Sequence, residues 1–171
     1  MDIRIGIIGA GYWGKNHVRN FYQLGALHTV CDADKERLKS FKEKYQDIKV
    51  TSDYLEILKS EEIQGVVIAT PAETHYQLAK EAILYKKDVL VEKPLSLRIN
   101  EARELIKLAE KQGTILMVGH LLQYHPAVIR LKELIKSGKL GKIEYIYSNR
   151  LNLGKFRREE NILWSFAPHD I

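Results

Sequence analysis

Short apolar runs alternate with stretches of helical spacing from the third residue onward. Ile3 to Ile8 reads as a strand, Trp13 to Leu24 as a helix and Leu27 to Cys31 as a second strand. Lys35 to Tyr45 carries Leu38, Phe41 and Tyr45 at the spacing of one helix face. A short helix follows near Tyr54 to Lys59, with Ser52 or Asp53 as its N-cap. The run GVVIAT, counted as the fourth strand, is apolar without a break, the mark of a central strand covered on both faces. Beyond it lies a helix over Glu73 to Tyr85 with Leu78, Ala79, Ala82 and Ile83 on one face, then a fifth strand over Val89 to Val91. A helix over Asn100 to Gln112, stopped by Gly113, leads to a sixth strand over Ile115 to Val118. Such alternation predicts an α/β fold with a doubly wound parallel sheet.

The rhythm changes past Gly119. Pro126 to Lys136 reads as one more helix, and Ile143 to Leu153 alternates like a long strand with one covered face. The expected boundary therefore separates a first domain, 1–119, from the opening of an incomplete α+β second domain, 120–171. A lone strand there would have unpaired edges, so the expectation is that the chain is truncated or that partner chains complete the sheet.

Composition narrows the functional classes. With 171 residues, 45% of them hydrophobic and 29% charged, the chain can bury one full core and part of another. The formal charge of +5 comes largely from lysines interleaved with glutamates, as in DKERLKSFKEKY. That is the pattern of a solvated helix face rather than a nucleic-acid surface, and a mild positive field suits a phosphate-bearing ligand. No leader-like segment precedes the first strand and no apolar run is long enough for a membrane span. With the single cysteine, Cys31, read as packing filler, this gives a cytoplasmic expectation. His75, His120 and His125 match no ligand spacing, so no metal is expected. The Y-x-x-x-K spacing of Tyr76 and Lys80 is read as coincidence on a packed helix.

GAGYWG sits where the first strand becomes the first helix, with Asp32 at the end of the next strand. Gly9 allows a tight turn, Gly11 lets a pyrophosphate approach the backbone, and Gly14 permits close packing of helix on strand. The helix amino terminus then offers N–H groups and partial positive charge to the phosphates. Asp32 would accept hydrogen bonds from both hydroxyls of an adenine ribose, favouring NAD over NADP in this Rossmann reading, although Lys35 and Arg37 stand close enough to serve a 2′-phosphate.

The charged pair Glu92 and Lys93 closes the apolar VLV run and is followed at once by Pro94. Burying such charges is costly unless they are paired or used. In a doubly wound sheet they emerge at the edge where ligands bind, as do Thr70 and Pro71. IGIIGAGYWGKNH, VVIATPAETHYQLAKEAI, KDVLVEKPLS and LLQYHPAVIRLKELIKSGKLGKI together resemble the Gfo/Idh/MocA oxidoreductases. The later segments look most like members acting on UDP-N-acetyl sugars at C3, of the UDP-N-acetylglucosamine 3-dehydrogenase type.

The resemblance implies hydride transfer from a sugar carbinol to nicotinamide, with Lys93 at the reacting hydroxyl and His169 as its acid-base partner. Candidate cofactor contacts are Gly9, Gly11, Tyr12, Trp13, Gly14, Asp32, Thr70, Pro71, His75, Glu92, Lys93 and Gln123. Glu92 would contact the nicotinamide ribose or orient Lys93. Ser165 stands where many relatives carry aspartate, and Leu121 and Gln123 where many carry asparagine and arginine. A homo-oligomer acting on a nucleotide sugar is implied; the competing reading is a non-catalytic dinucleotide-binding module.

Overall fold

The structure, a computed structural model, describes residues 3–149. Six parallel strands, β1 (Ile5–Ile8), β2 (Leu27–Cys31), β3 (Lys49–Thr51), β4 (Gly65–Ile68), β5 (Asp88–Val91) and β6 (Leu116–Val118), lie in the order β3-β2-β1-β4-β5-β6. This is the dinucleotide-binding Rossmann order, reversing between β1 and β4. The helices are α1 (Gly14–Gln23), α2 (Lys35–Lys44), α3 (Tyr54–Lys59), α4 (Ala72–Leu84), α5 (Ile99–Gln112) and α6 (Pro126–Lys136).

The period-two pleat assigns neighbouring side chains to opposite faces. Ile8, Cys31, Val66, Ile68, Val89 and Val91 join Ile57, Leu58, Ile83 and Leu105 in one buried cluster. Ile7, Val30 and Val67 join Val18, Leu38 and Ile48 in the other. Both faces of β4 are covered, and all four of its residues are buried. Each large aliphatic side chain removed from water contributes roughly 1.5–3 kcal/mol.

The caps follow local chemistry. Asp53 accepts from the Leu55 N–H and Asp34 from that of Arg37, while Gly113 ends α5 at φ 69°. Tyr76 and Lys80 form a polar cluster with Glu104 of α5: the Tyr76 hydroxyl donates at 2.8 Å and Lys80 Nζ lies at 2.7 Å. Their spacing thus serves helix pairing. β3, a three-residue edge strand pairing only with β2, is the one strand the apolar pattern did not locate.

The chain divides after Gly119 into two units. In the second, a 3-10 turn over Leu121–Tyr124 precedes α6, which carries Pro126 at its first turn. The strand expected over Ile143 to Leu153 does not form within its described part, residues 143–149. A strand exists through its ladder, and among the described residues this segment has no strand partner. Tyr145, Ile146 and Tyr147 are all exposed, so neither side of the alternation is covered. No helix of the described residues is long and apolar enough to cross a membrane.

Candidate functional site

Parallel strands all point one way, so the segments leaving the carboxyl ends of β1, β2, β4, β5 and β6 share one edge of the sheet. Gly9 has φ 88°, and a Cβ there would come within 2.8 Å of the Ala69 carbonyl and of Thr70 Cγ2. Its glycine identity is dictated by packing against the end of β4. A Cβ at Gly14 would strike the Gly9 carbonyl oxygen. Gly11 differs, since a Cβ there would meet nothing within 4 Å. The chain itself does not need glycine at 11; a group approaching from outside would.

No side chain caps the amino terminus of α1, and the Lys15 and Asn16 N–H groups of its first turn donate to the Gly11 and Trp13 carbonyls, so what this end offers is chiefly the positive end of the helix dipole. A diphosphate fits this cradle. Tyr12 and Trp13 flank it from the surface, Tyr12 being 82% exposed with Lys15 Nζ over its ring.

Asp32 is buried to 8% exposure and engaged from three directions. Its Oδ2 accepts from the Ala10 N–H at 2.7 Å, and its Oδ1 from the Asp34 N–H at 2.9 Å and an Arg37 guanidinium N–H at 2.7 Å. Burial pushes its carboxyl up, but these hydrogen bonds and the Arg37 charge outweigh it and hold the group below the ordinary carboxylate range. Stability drawn from this arrangement is therefore present at neutral pH and lost as pH falls through the depressed value. A carboxylate has about four acceptor positions. Three are filled, leaving room for one ribose hydroxyl rather than two unless Arg37 moves. Arg37 also pairs with Asp34 at 3.2 Å, so its charge already answers two carboxylates. That arrangement opposes its use as a 2′-phosphate fork.

Cys31 lies just before Asp32 and is buried. Burial, then the Asp32 charge, pushes its thiol up to about 12. At neutral pH the thiolate fraction is on the order of 1 in 10⁵. We expect iodoacetamide to leave Cys31 unmodified in the native protein and to alkylate it after guanidinium unfolding, read by peptide mass spectrometry. Rapid native alkylation would contradict the packing role.

Past β4, the hydroxyls of Thr70 and Thr74 lie 2.6 Å apart, and Pro71, exposed, occupies the N-cap position of α4. His75, 1% exposed, sets its Nδ1 2.7 Å from the Pro94 carbonyl oxygen and its Nε2 2.9 Å from that of Thr70. The ring thus bridges the turns after β4 and β5. Both ring nitrogens are thereby engaged, and among the described residues His75 joins no cluster of three metal-ligating side chains.

Glu92 follows β5 directly, its N–H donating to the Ile68 carbonyl at 2.9 Å. Its Oε1 lies 2.7 Å from His17 Nε2 of α1. Lys93, half-buried, comes next, and the Lys93–Pro94 peptide bond is cis. His17 was not singled out from the sequence. Its only signal was its place on α1 beneath the glycine loop, in the GKNH end of that motif. Gln123 belongs to the second unit, where its side-chain oxygen accepts from Lys132 Nζ. His169 and Ser165 lie outside the described residues.

Residues 3–120 match the Gfo/Idh/MocA family, described as an oxidoreductase family with an NAD-binding Rossmann fold. An uncharacterized oxidoreductase of Bacillus subtilis, YrbE, is 33% identical over 82% of this chain and 42% of its own length. The myo-inositol 2-dehydrogenase of Thermotoga maritima is 30% identical over 82% of this chain and 42% of its own. Among solved structures, GenD2 from gentamicin A biosynthesis in complex with NAD superposes with a TM-score of 0.75 at 29% identity, covering 80% of this chain and 40% of that one. The chain thus spans less than half the length of these relatives. By this match and by the strand order, glycine loop and Glu-Lys-Pro turn described above, the chain belongs to the Gfo/Idh/MocA oxidoreductase family, with its NAD-binding Rossmann domain in residues 3–120.

Proposed function

We propose that the protein is an NAD-dependent dehydrogenase oxidising a carbinol of a sugar or polyol. NAD, when bound, supplies the hydride acceptor at its nicotinamide C4. In this reading the amides of Gly11 to Gly14 hold the diphosphate, Asp32 takes a ribose hydroxyl, and Thr70 and Pro71 border the path toward the nicotinamide. Lys93 lies against the reacting hydroxyl, where its ammonium stabilises developing alkoxide charge, and His169 accepts the proton. The second unit contributes to the substrate and oligomer face.

The observation that carries the reading is Lys93 at the carboxyl end of β5, two strands from the glycine loop across the β1–β4 reversal. Oxidation of a carbinol calls for a cation at that place, since it stabilises the developing alkoxide. The finer reading, oxidation at C3 of a UDP-N-acetyl sugar, rests on the resemblance of the segments after Gly119. The relatives named as inositol 2-dehydrogenases support a cyclitol substrate as the alternative.

The test is NADH formation by the protein at its full encoded length, with UDP-N-acetylglucosamine, myo-inositol and scyllo-inositol supplied in parallel, alongside calorimetry with NAD and NADP. Turnover with one of them and preference for NAD are expected. NAD binding without turnover on a wide carbinol panel would favour the binding module, and absence of NAD binding would sink the proposal.

A further inference from the structure

We propose that His17 is a positioning residue: through the Glu92 carboxylate it ties the helix beneath the diphosphate cradle to the turn that carries Lys93. This rests on the reading of Lys93 given above.

The geometry is a three-sided clamp. Glu92 and His17 meet at 2.7 Å with side chains only 10% and 13% exposed. A carboxylate so withdrawn from water must be given a donor, and the donor comes from α1, a different element. From the β6 side, a Cβ at Gly119 would stand 3.1 Å from Glu92 Oε2 and 3.2 Å from Oε1. Gly119 is itself fixed by its N–H donating to the Val91 carbonyl at 2.8 Å. The His17 ring in turn rests on Phe21, stacked with centroids 6.4 Å apart. Glu92 therefore has its backbone bonded to β4, its carboxylate packed against the end of β6 and its oxygen held by α1.

Lys93 is the next residue, so the direction in which it leaves the sheet is set by how Glu92 is held. The diphosphate grip and the reacting ammonium sit on different strands. The His17–Glu92 bond is a direct side-chain link between the helix of the first and the turn of the second. A reacting group displaced by about 1 Å can lose on the order of 10²-fold in rate, so a link of this kind would act on kcat more than on cofactor affinity.

The experiment compares His17→Ala and His17→Gln in the protein at its full encoded length, the glutamine retaining an N–H donor near the position of Nε2. For His17→Ala we expect kcat to fall roughly 10- to 100-fold with KM for NAD within about threefold, and His17→Gln to restore most of the loss. Hydrogen–deuterium exchange gives a readout independent of substrate: amides in 92–96 should exchange faster in His17→Ala and return toward the parent rate in His17→Gln. Unchanged kcat and unchanged exchange in a folded His17→Ala would overturn the proposal, as would failure of glutamine to rescue either. Lys93→Ala measured in parallel separates the two ideas. If it retains turnover, the reading of Lys93 fails whatever His17 does; if it is inactive while His17→Ala is not, only the positioning role fails.

Discussion

Replacing Gly11 by valine should abolish measurable NAD binding while leaving the melting temperature within a few degrees, whereas Gly9→Ala should lower it by roughly 10 °C. The two glycines lie two residues apart and look equivalent in a motif, yet their surroundings differ. At Gly9 a methyl group meets the Ala69 carbonyl and Thr70 Cγ2 at 2.8 Å, and the backbone stands at φ 88°. Unfavourable backbone geometry costs about 1–2 kcal/mol and overpacking about 1–3 kcal/mol. Together these give a Tm loss of the size stated. At Gly11 added atoms enter open space beside the uncapped end of α1, so the fold has nothing to object to. What they would obstruct, in the proposed reading, is the approach of a diphosphate to the loop amides. Isothermal calorimetry and a thermal melt on the same preparations decide the matter. Gly11→Val that binds NAD as the parent does would move the diphosphate elsewhere. Gly11→Val that unfolds would make that glycine a packing residue.

The strand-helix rhythm was legible because parallel strands buried on both faces read as unbroken apolar runs, and β4, wholly buried, is the plainest case. The glycine loop was legible because steric demands at Gly9 and Gly14 force a fixed spacing on the chain. β3 was not: three residues on an edge, with Lys49 exposed, carry too little periodicity to be told from a turn. The described part of the segment after Lys142, residues 143–149, differs in the opposite direction. Its alternation is real, but alternation specifies a strand only when a neighbour supplies the ladder, and neighbours are a property of the fold rather than of the segment.

At the candidate site, charge could be read and pairing could not. The sequence marks Glu92 and Lys93 as costly to bury and Asp32 as an acceptor for a ribose. It does not reveal that Asp32 already serves Ala10, Asp34 and Arg37, or that Glu92 meets His17 across 75 residues of chain. The consequence for Asp32 is concrete. It ties down the glycine loop through the Ala10 N–H, and in the proposed reading it offers its remaining acceptor position to a ribose hydroxyl. Arg37 was a reason to keep NADP in view from sequence alone; paired with two carboxylates, it becomes a reason to favour NAD.

Lys93→Ala, made in the protein at its full encoded length, should lower kcat by about 10²- to 10⁴-fold and leave the dissociation constant for NAD within about threefold. The asymmetry follows from position. In the proposed reading, affinity for the dinucleotide resides in the diphosphate cradle and at Asp32, on the β1 and β2 ends of the sheet, while Lys93 leaves β5 on the far side of the β1–β4 reversal. Its ammonium gains most when the carbinol oxygen becomes an alkoxide, so its removal raises the barrier without weakening the ground state in proportion. Lys93→Arg should not restore the rate, because a guanidinium is wider and spreads its charge over a plane instead of concentrating it at one point. Equal losses in NAD affinity and kcat would instead make Lys93 a cofactor-binding residue. Full activity in Lys93→Ala would require the alkoxide to be stabilised by some other group, removing the chemical reason for placing the carbinol beside β5.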